Sequence, residues 1–208
     1  MQRRARGHEE GWLLSYADLI TNLLLFFVIL LTASNMSQGK MQQIQEAMTG
    51  QQSPESLESI QKEIEARIAA MNLKDVVVIE LTDDGLQVAL NSGVVFAPGQ
   101  DAIKPDFDPA LKSMMEAVVP YADRYHFAVE GHTDETPVSA RGPFSSNWEL
   151  SAARAIRVRE RLETTGIARE RIRVEGYADT RPLPADKVTG LSDEERRARL
   201  RRVVVRIF

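Results

Sequence analysis

A chain of 208 residues with a formal net charge of −4 leaves room, after one membrane span and a linker, for a single soluble domain of ordinary size. The mild acidity argues against a nucleic-acid binder. The absence of cysteine removes disulfides, thiol catalysis and any Cys-built zinc site.

Residues 1–11 are short and polar, with Arg3, Arg4 and Arg6 ahead of an almost unbroken apolar run at 12–33, WLLSYADLITNLLLFFVILLTA. A helix rises about 1.5 Å per residue, so this run covers the roughly 30 Å hydrocarbon layer of a bilayer once. Lys40 is the only basic residue between the run and Lys62. The positive-inside rule therefore keeps the N-terminus in the cytoplasm and sends the rest of the chain across. A cleaved signal peptide would have a shorter apolar core ending at a small-residue cleavage site, so an uncleaved anchor is expected.

Asp18 is the single acid within that run. An ionisable side chain at such depth costs on the order of 3 kcal/mol on insertion scales and is tolerated against a protein partner or water. Helical spacing places Asn22, Leu25 and Ile29 on its face, with Thr21 beside it. Asp18 could serve helix association or lie in a wet interface with Trp12 and Tyr16. The alternative is a group that binds a cation and releases it.

The stretch at 34–72 is a Gln-rich linker with two helical stripes. Met41, Ile44 and Met48 mark a short amphipathic helix stopped by Gly50. Ser53 and Pro54 read as an N-cap and first helical residue, after which Leu57, Ile60, Ile64, Ile68 and Met71 continue a stripe. That stripe suits pairing with a second copy, docking on the following domain, or a solvated spacer.

From residue 73 the pattern becomes α/β. VVVIEL and LQVAL flank a turn marked by Asp84-Gly85, a helix is expected over 105–119, a strand over 127–130 and a helix over 147–165 stopped by Gly166. Strands follow at 171–175 and 203–208, with a Ser192/Glu195 capping box opening a brief helix between them. The expected fold is a two-layer α/β sandwich. Arg154 lies between Leu150 and Val158 on the inward side of its helix and calls for a carboxylate, for which Asp134 at the preceding strand end is placed. Spacing leaves a structural salt bridge and a ligand site equally open. Glu130, His132 and Asp134 alternate and would, on a continuing strand, aim three metal-capable groups at one face. His126 and His132 have no serine or cysteine nucleophile in a familiar arrangement, and no enzyme, metal or cofactor is expected.

GHTDETP at 131–137, SNWELSAARA at 146–155 and RVEGYADTRP at 173–182 resemble the OmpA-like peptidoglycan-binding domain in its MotB form. WLLSYADLIT at 12–21 resembles the membrane segment of the same family, the B subunits of flagellar motor stators. The resemblance implies a homodimer within a ring of multi-span A-type subunits, in the inner membrane, with Asp18 carrying the ion and Tyr16, Thr21 and Asn22 supporting the pathway. Tyr16-Ala17 leans toward protons over sodium. Residues 41–49, with Met41, Ile44 and Met48, fall at the family's plug. Asp134 and Arg154 fall at the positions that grip the diaminopimelate of the wall peptide, with Thr133 and Asn147 adding hydrogen bonds. The family's Asn-Arg-Arg before the last strand is here Leu200-Arg201-Arg202, which leaves Arg202 as a weaker wall contact. A passive membrane-to-wall tether and a non-flagellar ion-driven motor are the alternatives.

Overall fold

Helix α1, Gly11–Ser34, is a single unbroken rod. At 1.5 Å per residue it is about 36 Å long, enough to cross a bilayer. Every side chain from Gly11 to Leu31 faces outward, as lipid or partner contact requires and as a core helix would not. The structure, a computed structural model, describes residues 11–34 and 56–208. Arg3, Arg4, Arg6, Met41, Ile44, Met48, Ser53 and Pro54 lie outside the described residues.

Helix α2, Leu57–Ala70, is capped by Ser56, whose hydroxyl accepts from Ser59 N at 3.3 Å. Leu57, Ile60, Ile64 and Ile68 are all buried, so the stripe docks on the domain, one of its three open roles. Full burial of each such side chain favours docking by roughly 1.5–3 kcal/mol. Arg67 adds a bond from Nη1 to Ser113 O at 2.8 Å.

Strands β1, Val77–Thr82, and β2, Gly85–Asn91, form a hairpin whose turn residues are Asp83 and Asp84. Gly85 is required on two counts. Its φ is +119°, and a Cβ there would lie 2.2 Å from Ile207 O of the neighbouring strand. A single helical turn follows, α3, Ser92–Val95, which the strand pattern had hidden. Helix α4, Asp108–Glu116, is shorter than the expected 105–119, with Pro109 in its first turn and the segment around Pro120 tightening to a 3₁₀ turn, Val119–Tyr121. Strand β3, Phe127–His132, helix α5, Asn147–Thr164, and strand β4, Ile172–Gly176, form a parallel crossover unit. Helix α6, Asp193–Leu200, opens on the Ser192/Glu195 capping box and leads into β5, Arg202–Ile207.

The sheet order is β1-β2-β5-β3-β4, antiparallel except for β3 with β4. α2 lies on β1 and β2, α5 lies on β3 and β4, and α4 fits between the two helices. Phe127, Val129, Val203, Val205 and Ile207 point into this layer and are buried. The α5 contact is unusually close. A Cβ on Gly131 would stand 2.0 Å from Ser151 O, and one on Gly176 would stand 3.0 Å from Ala152 Cβ. Glycines on the strands and small residues on the helix thus fix the N-terminal end of α5 against the end of β3.

Candidate functional site

Where β3 ends, the chain turns under the start of α5. Ser146 caps that helix by accepting from Glu149 N at 3.2 Å, and Glu149 Oε2 accepts from Ser145 N at 2.7 Å. Asn147, in the first turn, donates through Nδ2 to Thr136 O at 2.9 Å and Asp134 O at 3.3 Å. Asp134 folds the turn from inside by accepting Thr136 N on Oδ1 at 2.9 Å. Thr133 N donates to Ala178 O at 2.8 Å, while its buried hydroxyl has no hydrogen-bond partner among the described residues.

Thr133, Asp134, Thr136 and Asn147 border an open pocket of about 900 Å³ lined also by Phe96, Pro98, Leu150, Arg154, Arg197 and Arg201. That volume suits a ligand of a few sugar or amino-acid units. Thr133, Asp134, Asn147 and Arg154 therefore share one cavity. Arg202 does not join them. In β5 the side chains alternate, and Arg202 falls with Val204 on the opposite face of the sheet, in a cleft with His132 and Glu130. It donates there to Leu200 O at 3.2 Å and Arg181 O at 3.1 Å, and burial lowers its pKa to about 10.

The expected bond between Arg154 and Asp134 is also replaced. Arg154 is buried and donates through Nε to Gln100 O at 2.9 Å and through Nη2 to Ala97 O at 3.4 Å. Its guanidinium lies over the Phe96 ring, 5.1 Å from the centroid. Backbone carbonyls of the loop after α3 thus hold the arginine, so no carboxylate is needed to seat it. Burial, with Arg201 as a like-charged neighbour, lowers its pKa to about 10, which leaves it cationic at neutral pH. The partner of Asp134 is Arg201, whose Nη1 stands 2.5 Å from Oδ2. Nearby, Glu135 pairs with Arg196 at 2.9 Å and Arg197 at 3.4 Å, tying the turn to α6. The pocket brings Asp134, Arg154 and Arg201 together, with Arg197, Asp193 and Glu194 also on its lining, so it offers both signs of charge, an arrangement for a zwitterion.

The metal idea for Glu130, His132 and Asp134 fails on geometry. β3 stops at His132, so Asp134 leaves the alternation and turns to the helix side, while Glu130 and His132 stay on the open face. Among the described residues no group of three or more such side chains converges. His132 Nε2 lies 3.6 Å from Glu130 Oε2, its ring stacks on Tyr177 at 5.5 Å, and burial lowers its pKa against the opposing pull of Glu130.

In α1, Asn22 Nδ2 donates to Asp18 Oδ1 at 3.3 Å, and Thr21 Oγ1 donates to Asp18 O at 2.9 Å. Tyr16, two residues before Asp18, falls about 200° around the helix from it and not on its face.

The comparisons agree with both halves. The sequence model described as membrane MotB of the proton-channel complex MotA/MotB matches residues 2–51, and that of the OmpA family matches residues 95–197. Motility protein B of Bacillus subtilis is 24% identical, with 100% of this chain and 95% of that protein covered. The crystal structure of the periplasmic domain of Helicobacter pylori MotB superposes with a TM-score of 0.55 at 29% identity, over 63% of this chain and 80% of that one. The cell wall anchor of the T6SS from Pseudomonas aeruginosa gives a TM-score of 0.58 at 31% identity, over 70% of this chain and 96% of that one. An outward-facing apolar helix that carries one carboxylate, followed by an OmpA-like α/β domain, makes this chain a MotB-type protein, of the stator and peptidoglycan-anchoring family.

Proposed function

We propose that this chain is the B subunit of an ion-driven rotary motor, flagellar in kind, conducting cations past Asp18 with a multi-span A-type partner and holding the assembly to peptidoglycan. Asp18 is the one charged residue in a helix whose side chains at 11–31 are all exposed among the described residues. Protonation or cation binding there neutralises a charge at a subunit interface and biases how the surrounding subunits pack. A homodimer brings two such helices together, with the N-termini in the cytoplasm. Asn22 orients the carboxylate, and Thr21, bonded to the Asp18 carbonyl, supports the pathway beside it. Tyr16 lines a different side of the rod. Met41, Ile44 and Met48 form the plug that keeps the pathway shut in the idle unit.

The wall is held by the pocket at the end of β3. The ammonium of diaminopimelate suits Asp134, and its carboxylate suits Arg154, with Thr133 and Asn147 contributing neutral hydrogen bonds. The observation that carries the reading is the presence, in one chain, of a lone intramembrane carboxylate and an open pocket offering both signs of charge. Asp134→Asn keeps the shape and removes the charge. Full-length protein with this change should insert and fold normally yet lose about ten- to a hundredfold in sedimentation affinity for purified peptidoglycan, as expected for one lost charge-assisted contact. Unchanged sedimentation would refute the assigned site.

The similarity to the T6SS anchor supports a second reading, a wall anchor that conducts no ion. Affinity purification from native membranes separates the two, since only the motor reading requires a multi-span subunit to come down with this chain.

A further inference from the structure

The pocket contains a contact that the proposed ligand has to undo. Asp134 suits an incoming ammonium, yet its Oδ2 already accepts from Arg201 Nη1 at 2.5 Å. Its Oδ1 is engaged by Thr136 N. No oxygen of this carboxylate is idle.

Two of the pocket's three arginines, Arg154 and Arg201, are held differently. Arg154 is buried, and two carbonyls fix its guanidinium. Arg201 has a side chain that is 36% exposed, and among the described residues its guanidinium is bound by Asp134 alone. Its backbone is anchored, since Arg201 N donates to Arg197 O at 3.0 Å and Arg201 O accepts from Ser92 N at 2.9 Å. The side chain can therefore turn about its stem while the chain around it stays in place. Arg197 also lines the pocket but is committed to Glu135.

We propose that Arg201 is a built-in stand-in for the ligand's ammonium, neutralising Asp134 in the empty pocket and swinging on binding to grip the ligand's carboxylate beside Arg154. This rests on the wall-peptide reading above and adds how the site selects its ligand. The exchange conserves charge at each position. An ammonium replaces a guanidinium on Asp134, and the released guanidinium finds a carboxylate instead of water. A simple amine lacks that second half, because it expels Arg201 toward Arg154 with only the exposed, solvated carboxylates of Asp193 and Glu194 on the pocket lining to receive it. A simple carboxylate finds Arg201 already paired and Asp134 facing it with like charge. Only a group with both charges on one carbon gains from the swap, so selectivity comes from penalties on the wrong ligands as much as from contacts to the right one.

Three probes with matched spacing of their charged groups separate these cases: meso-diaminopimelate, 1,5-diaminopentane, which keeps the amines and lacks the carboxylates, and pimelate, which keeps the carboxylates and lacks the amines. Each is titrated into detergent-solubilised full-length protein, with melting curves recorded first. The parent should bind diaminopimelate at least about tenfold more tightly than either analogue, the worth of one charge-assisted hydrogen bond. In Arg201→Gln, Asp134 is vacated, so diaminopentane should bind about tenfold more tightly than in the parent and diaminopimelate more weakly. Arg201→Lys keeps a mobile cation and should retain the parent's order; it also carries the test if the glutamine variant does not fold, since loss of that order in the lysine variant would contradict the exchange. An Arg201→Gln protein with the parent's ratio of diaminopimelate to diaminopentane affinity, or with both affinities reduced alike, would overturn the proposal. A parent that binds no diaminopimelate would overturn the wall-peptide reading itself, and the exchange with it.

Discussion

Asp18 and Asp134 are both carboxylates central to the proposed function, and the chain satisfies them in opposite ways. Around Asp134, the Thr136 amide and the Arg201 guanidinium take the two carboxylate oxygens, and Asn147 at the start of α5 takes the carbonyl. Around Asp18, the chain offers one amide from Asn22 and a helix whose described side chains all face outward. The domain completes itself, and its core can be read as a closed object. α1 is incomplete by construction, because apolar side chains and an acid on one exposed rod require lipid and another subunit to finish the environment. The difference teaches where function depends on assembly. Changes in the domain should show in the isolated chain, while changes at Asp18 should show only with partners present.

The largest stability effect should come from closing the gap between α5 and the sheet. Gly131→Ala drives a Cβ to 2.0 Å from Ser151 O, so α5 must lift from β3 or the strand must bend. Overpacking of this kind costs about 3 kcal/mol, or roughly a 6–12 °C drop in melting temperature for a domain of this size. Because α5 carries Asn147 and Arg154, peptidoglycan binding should fall with it, while the helicity and membrane insertion of α1 stay unchanged. A melting temperature within a degree of the parent would show that the domain is far looser than its packing indicates.

A smaller effect should appear with acid. Burial holds the pKa of His132 below its unfolded value of about 6.5, so the unfolded chain binds the proton more readily than the folded one. The stabilisation by a neutral ring is complete above about pH 6.5 and is lost as pH falls through the interval down to the depressed folded value. Arg202 and Arg181 oppose the added charge, and Glu130 favours it. His132→Gln should remove this slope from the plot of melting temperature against pH between about pH 7 and 5. An identical slope in parent and variant would assign the acid sensitivity to other groups.

The alternation of apolar residues and the turn and cap signals made most strands and helices readable in the sequence. What escaped was decided by parity and by tertiary packing. Arg201 has the same parity as Val203, Val205 and Ile207, all of which face the helix layer, so the strand pattern alone could have assigned it to the pocket and Arg202 to the far face. Asp134 broke its own pattern because β3 ends two residues earlier, at His132. The carbonyls that seat Arg154 lie more than fifty residues away at Ala97 and Gln100. No local rule points to them. α2 carried a legible stripe, but its partner could be found only once the faces of β1 and β2 were placed.

The central claim is that ion flow passes through Asp18 and that wall binding is a separate property of the domain. The most direct measurement is proton and sodium uptake by cells that co-express the A-type partner with this chain lacking residues 41–49, carrying either Asp18 or Asp18→Asn. Removing the plug should open a leak, and Asp18→Asn should close it, with peptidoglycan sedimentation equal in the two proteins. A leak that persists at full size with asparagine at this position would contradict the account.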